Sequence, residues 1–372
     1  MKVVLHIGTH KTGTSALQAY CAKNRAALLA HGVYYPKLPN GSNSFNFLGA
    51  RLAFGQYGEV RRFFIRALSD AHKAGANTLL VSGESLYAMT SLFYCLHARP
   101  IGDYWEHERR CVAALKDCLP VDAVCEIYCY IRRQDHFLES LYNQCVKHPA
   151  GFSGDIEEFS QCMRETLQYG RLFALWAQVF GGESIRVRNY DATAGRLPED
   201  FVAWGLGIDD VSGFSQLGRR VNERLSRDLL EYKRILNRIG LSRADGISAT
   251  VHIMHLSQIM GDDGLHHDYL GKEQRALLLS GLADDWAIFS SAHPGLDVLS
   301  TREATLSQSR AHYGGLSVEA AVEIAYRHWL FYQQPKVWVR THLRRLYEPL
   351  RTRFGTVAWA LAHIGRLMRK RV

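Results

Sequence analysis

Short apolar runs alternate with stretches of helical spacing along the first half of the chain. "KVVLHI" (2–7), "TLLVS" (78–82), "AVCEIYCYI" (123–131) and "SIRVRNY" (184–190) are compact and rich in β-branched and aromatic residues, which predicts strands. Between them, Leu17, Tyr20, Cys21, Leu28 and Leu29 recur at helical intervals up to Gly32, and residues 104–118, 134–147 and 157–180 show the same period. Strands separated by helices predict a parallel sheet covered on both faces. After about residue 198 only helical patterns remain, at 222–240, 271–291 and 316–332. The expected fold class is therefore α/β: a parallel sheet flanked by helices, with a helical C-terminal region. The pattern divides the chain into 1–240, a helical stretch 241–335 and a tail 336–372. For the later helices it leaves two arrangements open, a lid on the sheet or a small second domain.

Composition narrows the class. The chain has 372 residues, 47% of them hydrophobic, enough for a substantial core and inconsistent with intrinsic disorder. Eight cysteines are scattered without C-x-x-C pairs, several inside apolar runs, as expected of reduced buried thiols. "MKVVLHIG" passes directly from one basic residue into the first strand with no secretory pattern, so a cytoplasmic protein is expected.

Charge changes the picture at one end. From Lys336 onward there are ten Lys and Arg against one acid, Glu348, so the tail holds the whole net charge of +9 and the rest is balanced. Basic clusters flank "FGTVAWALAHIG", which is too short to span a bilayer. Two readings stand: an interfacial helix on an anionic membrane, with Phe354, Trp359 and Leu361 inward, or a terminal helix docked on the body. No aromatic-interleaved module accompanies the tail, so nucleic acid is not expected as a partner.

The candidate chemistry begins at "HIGTHKTGTS" (6–15). Gly8 and Gly13 keep the spacing of a Walker A loop, but Thr14 and Ser15 follow Gly13, and the loop's lysine is Lys11. A strand-to-helix loop here presents free amides from Thr12 to Ser15 and the hydroxyls of Thr12, Thr14 and Ser15 to a tetrahedral anion. Lys11 then stands beside the anion's outer part, where it can neutralise charge on a bridging oxygen as the bond to it breaks.

These residues resemble the sulfotransferases that use 3′-phosphoadenosine 5′-phosphosulfate (PAPS), whose 5′-phosphosulfate loop reads K-[ST]-G-[ST]-[ST]. "KTGTS" is similar to its bacterial form, on a P-loop NTPase-like fold. The family's second signature, a strand-terminal Arg and a Ser eight residues on that hold the 3′-phosphate, matches Arg132 and Ser140 of "YIRRQDHFLES". "LLVSGESLYAM" resembles the carbohydrate and heparan-type members, which makes Glu84 the expected general base, with Tyr87 beside it. "LQYGRLFALW" implies Tyr169 as an adenine contact, and "GRRVN" implies Arg219, with Arg220, near the 3′-phosphate. The resemblance covers about residues 1–240.

It implies sulfuryl transfer to an acceptor hydroxyl, with PAPS as co-substrate, a carbohydrate or glycolipid as acceptor, and no metal. His10 and His136 are read as supporting or surface histidines rather than bases. Two rival readings are a kinase or NTPase with a degenerate Walker A loop, and a non-catalytic nucleotide-binding protein recruited to membranes.

Overall fold

The computed structural model describes residues 1–9, 12–91, 102–149, 151–193, 195–217, 225–260, 268–296, 313–334 and 337. Two compact units divide the chain. The first comprises Met1–Leu141, Glu158–Glu223 and Leu270–Ser309; the second comprises Tyr142–Glu157, Arg224–Tyr269 and Arg310–Val372.

The first unit is built on a five-stranded, all-parallel sheet in the order β2-β3-β1-β4-β5. The strands are β1 (Lys2–His6), β2 (Val33–Tyr34), β3 (Thr78–Ser82), β4 (Val124–Ile131) and β5 (Ile185–Asn189). Val3, Val4 and Leu5 are buried on both faces of β1, as an unbroken apolar run in a central strand requires. The α/β expectation is met.

Helices α1 (Thr14–Lys23), α2 (Arg25–Ala30), α3 (Phe47–Ala53), α4 (Tyr57–Lys73), α5 (Tyr104–Asp117) and α6 (Gln134–Lys147) follow in order. The single helical run expected over 157–180 is two helices, α7 (Ile156–Cys162) and α8 (Tyr169–Phe180). The break has a physical cause: the Asp285 carboxylate accepts the amides of Gly170 and Arg171 at 2.9 and 2.8 Å, capping a new helix start. Next come α9 (Leu197–Leu206), α10 (Arg227–Arg238), α11 (Arg243–Met260), α12 (Lys272–Ser280), α13 (Ala283–Ala292) and α14 (Val318–Gln333). The run expected over 271–291 is likewise divided, into α12 and α13, at Gly281 and Leu282. In the first unit α8 packs against α13 and α5.

Helices α10, α11 and α14 pack on one another in the second unit. There Lys233 is fully buried, and its ammonium donates to the His148 carbonyl and to Asn237. Among the described residues no helix is long and apolar enough to cross a membrane. The tail from Lys336, on which the membrane expectation rests, falls outside them apart from Val337.

Sheet order locates the site. The chain leaves β1 toward β2 on one side and leaves β4 toward β5 on the other, so connections from these neighbouring strands diverge. Open α/β sheets bind ligands in the crevice beyond the carboxyl ends of strands at such a point.

Candidate active site

Two loops meet at this crevice. After β1, the Thr9 amide and hydroxyl both donate to the Tyr130 carbonyl of β4, at 3.3 and 3.0 Å, tying the loop to its neighbour. Thr12 braces the loop from within: its hydroxyl donates to the Thr9 carbonyl at 2.6 Å and its amide to the same oxygen at 3.3 Å. Gly13 then opens α1 at φ 73°, a left-handed backbone that a side chain strains. A Cβ there would also lie 3.1 Å from Leu197 Cδ2. Thr14 is buried with its hydroxyl unpartnered, and Ser15 is half-buried. Lys11, the expected catalytic lysine, and His10 lie outside the described residues, as do Arg219 and Arg220.

Beneath the loop sits His6, a residue that the apolar pattern reads only as part of a strand. Its imidazole is fully buried, with Nδ1 2.9 Å from Ser82 Oγ and Nε2 unpartnered. A Cβ on Gly8 would come within 2.8 Å of that Nε2, so only glycine leaves room for the ring. Burial pulls the His6 pKa down to about 4, partly opposed by the charge of Glu84, which keeps the imidazole neutral at physiological pH.

Glu84 opens a short 3₁₀ turn (Glu84–Leu86) directly after β3 and is half-buried. Asn46 orients it, donating from Nδ2 to Glu84 Oε1 at 3.2 Å. The Asn46 segment is fixed in turn, because Ser85 Oγ donates to the Asn46 carbonyl at 2.7 Å. Tyr87 is fully buried and donates its hydroxyl to the Thr166 carbonyl at 3.2 Å, a core position rather than an exposed one.

Arg132 follows β4. Its guanidinium carbon lies 5.7 Å from the centroid of the Tyr190 ring, and Tyr190 Cε2 is 3.4 Å from where a Cβ on Gly13 would stand. Tyr190 thus sits between the loop at Gly13 and Arg132. Arg132 Nε is 3.2 Å from Asp191 Oδ1 but buried without a hydrogen bond, so its donor is not satisfied by that ion pair. Tyr169, expected beside the adenine, has a fully enclosed ring packed near Tyr87, Phe137 and Phe289, and its hydroxyl donates to the Arg132 carbonyl at 2.6 Å. It holds the backbone from which Arg132 projects.

Ser140 is buried on α6. The start of that helix is held by a charge network foreign to any local pattern. Arg133 grips Asp135 with two bonds, Nε to Oδ1 at 2.7 Å and Nη2 to Oδ2 at 2.9 Å. Arg275 of α12, itself buried, reaches Asp135 at 2.5 Å and Glu139 at 3.1 Å, while the Leu270 amide donates to Glu139 at 2.8 Å. Burial alone would raise the Asp135 pKa, but the Arg133 hydrogen bond and the charges of Arg133 and Arg275 prevail and hold the carboxyl below its usual range.

The residues fit an anionic nucleotide. Thr14 Oγ1, His6 Nε2, Arg132 Nε, both amide atoms of Gln134 and His136 Nδ1 are buried without partners, all at the ends of β1 and β4 or just beyond them. Each buried group left unpaired costs about 1–3 kcal/mol, and the oxygens of a polyanion would relieve the donors among them, such as the Thr14 hydroxyl, Arg132 Nε and Gln134 Nε2. Among the described residues no group of three or more His, Cys, Asp or Glu is arranged to hold a metal ion.

Comparison with known proteins adds little to the geometry. No family model matches the chain. A curated protein from Archaeoglobus fulgidus, described only as uncharacterized, is 30% identical over 180 residues, or 42% of this chain and 48% of that protein. The chain thus spans about half the length of the curated relative it matches. Among solved structures, the crystal structure of a sulfotransferase from Alicyclobacillus acidocaldarius aligns with a TM-score of 0.42 and 14% identity, covering 80% of this chain and 97% of that one.

Proposed function

We propose that the protein is a PAPS-dependent sulfotransferase. One observation carries the reading: a helix N-terminus opened by left-handed Gly13, with the unpartnered Thr14 hydroxyl, stands across Tyr190 from Arg132, whose buried Nε has no hydrogen-bond partner. Two anion-binding ends on either side of a crevice suit a nucleotide carrying phosphate at both its 5′ and 3′ positions. In this reading the amides and hydroxyls of Thr12, Gly13, Thr14 and Ser15 hold the 5′-phosphosulfate. Arg132 and Ser140 hold the 3′-phosphate, with Arg219 closing over it and Tyr169 fixing the Arg132 backbone.

The chemistry needs a cation and a base. An acceptor hydroxyl oxygen attacks sulfur, the bond from sulfur to the bridging oxygen breaks, and the charge left on the 5′-phosphate falls beside Lys11. The acceptor proton passes to Glu84, whose carboxylate is oriented by Asn46. The residues supply positioning and charge, which is what such transfer demands by analogy with phosphoryl transfer. A carbohydrate or glycolipid hydroxyl is the proposed acceptor, on the strength of the sequence around Glu84. The basic tail is proposed to lie on an anionic membrane surface; flotation with anionic liposomes should be lost on truncation near residue 335, and unchanged flotation would remove that part.

Calorimetric binding of 3′-phosphoadenosine 5′-phosphate, beside ATP and AMP with and without Mg²⁺, tests the reading. Tight, metal-independent binding that depends on the 3′-phosphate and falls away in Arg132→Ala is expected. Preference for ATP with Mg²⁺ would transfer the protein to the kinases and NTPases. Nucleotide binding with no transfer to any sugar or lipid hydroxyl would make it a binding protein.

A further inference from the structure

Geometry dictates the protonation pattern of His136. Arg133 Nη2 lies 2.6 Å from His136 Nε2, and a guanidinium can only donate. Nε2 must therefore be the acceptor, the ring is neutral, and its hydrogen is on Nδ1. Burial and the neighbouring charges of Arg133, Arg132 and Arg275 agree, drawing the His136 pKa down to about 4 against the pull of Asp135. Arg133 is not free to swing away, because it is gripped bidentately by Asp135, and Asp135 is anchored by buried Arg275. The outcome is a rigid relay, Arg275 to Asp135 to Arg133 to His136, ending in an N–H.

That N–H is buried and has no partner. Ser140 follows His136 by four residues on α6, so the two side chains rise from the same helix face one turn apart. Arg132 lies two residues before the start of the helix and is near enough for its charge to bear on the imidazole.

We propose that the Nδ1–H of His136 is a third ligand to the phosphate group held by Arg132 and Ser140, a specificity-determining donor fixed in place by Arg133, Asp135 and Arg275. This rests on the sulfotransferase reading for the identity of that group as a ribose 3′-phosphate. A terminal phosphate monoester offers three oxygens, enough for the guanidinium, the hydroxyl and the imidazole together. The relay explains why a neutral imidazole serves here: with its tautomer fixed, it donates without adding a charge to an already arginine-rich strand end.

The experiment is isothermal titration of the full chain with 3′-phosphoadenosine 5′-phosphate and with AMP, in the wild type, His136→Ala and His136→Asn. Asparagine places an amide N–H close to the Nδ1 position. Loss of a hydrogen bond to a charged group predicts that His136→Ala binds the bisphosphate about tenfold more weakly or worse, with AMP affinity unchanged and His136→Asn close to wild type. Where His136→Ala does not fold, His136→Gln, whose amide reaches the Nε2 position instead, carries the same expected loss. An unaltered ratio of the two affinities in the alanine or glutamine variant would overturn the assignment. A wild type that binds the bisphosphate no better than AMP would overturn the sulfotransferase reading itself, and the phosphate role of His136 with it.

Discussion

The Tyr169 hydroxyl donates to the main-chain carbonyl of Arg132 at 2.6 Å, joining the start of α8 to the residue after β4. Removing it leaves a carbonyl unpaired in the core. Tyr169→Phe should lose about 1–2 kcal/mol of unfolding free energy and weaken binding of a 3′-phosphorylated nucleotide several-fold. Urea titration and calorimetry read the two effects; an unweakened nucleotide would detach Tyr169 from the site.

In the proposed reaction Glu84, just beyond the end of β3, takes the acceptor proton. Glu84→Gln keeps the shape and removes the basicity, so transfer should slow by about 10²- to 10⁴-fold while nucleotide affinity stays near wild type. Single-turnover rates beside equilibrium binding separate the two. Equal losses in both would reduce Glu84 to a partner for Asn46 and a charge near His6.

Arg275 is buried between Asp135 and Glu139. Arg275→Met takes a buried cation away from two carboxylates and should cost about 3–5 kcal/mol. Because the charges act as a group, Asp135→Asn added to Arg275→Met should cost less than the sum of the two alone. Additive losses in denaturant titrations would show that the network is not a unit.

His6 makes stability depend on acid. Its folded pKa of about 4 lies below the ordinary 6.5, so the unfolded chain takes up the proton first as pH falls. Stability is complete above pH 6.5, declines from there toward pH 4 and levels below it, the His6 share being about 3 kcal/mol. Since His136 has the same displacement, His6→Asn should flatten the decline only in part. An unchanged slope in urea titrations between pH 7 and 4 would mean that the imidazole is not held neutral.

What the sequence discloses is what local pattern encodes. Short runs rich in β-branched and aromatic residues reveal β1, β3, β4 and β5, and the Gly8-to-Ser15 spacing reveals the loop, because each is written within a few consecutive residues. β2, only Val33–Tyr34, is too short for a period, and α3 and α4 went unread. The break before α8 is invisible because the capping carboxylate, Asp285, belongs to a helix far along the chain. Tyr190 and Asp191 come beside Arg132 through the order of strands, and Arg275 meets Asp135 across 140 residues. His6 reads as one more strand residue until the sheet encloses it beside Ser82.

The place of β1 in the sheet has a consequence for synthesis. It precedes the other four strands of the sheet in the chain, yet it is the central one, paired with Thr78–Ser82 on one edge and with residues of β4 on the other. Until β4 has emerged, this very apolar strand keeps one edge open, and the loop that follows it lacks the Tyr130 carbonyl that anchors Thr9. Early pairing is thus long-range and slow to close. An uncovered edge of this kind is a template for association with other chains until β4 pairs with it.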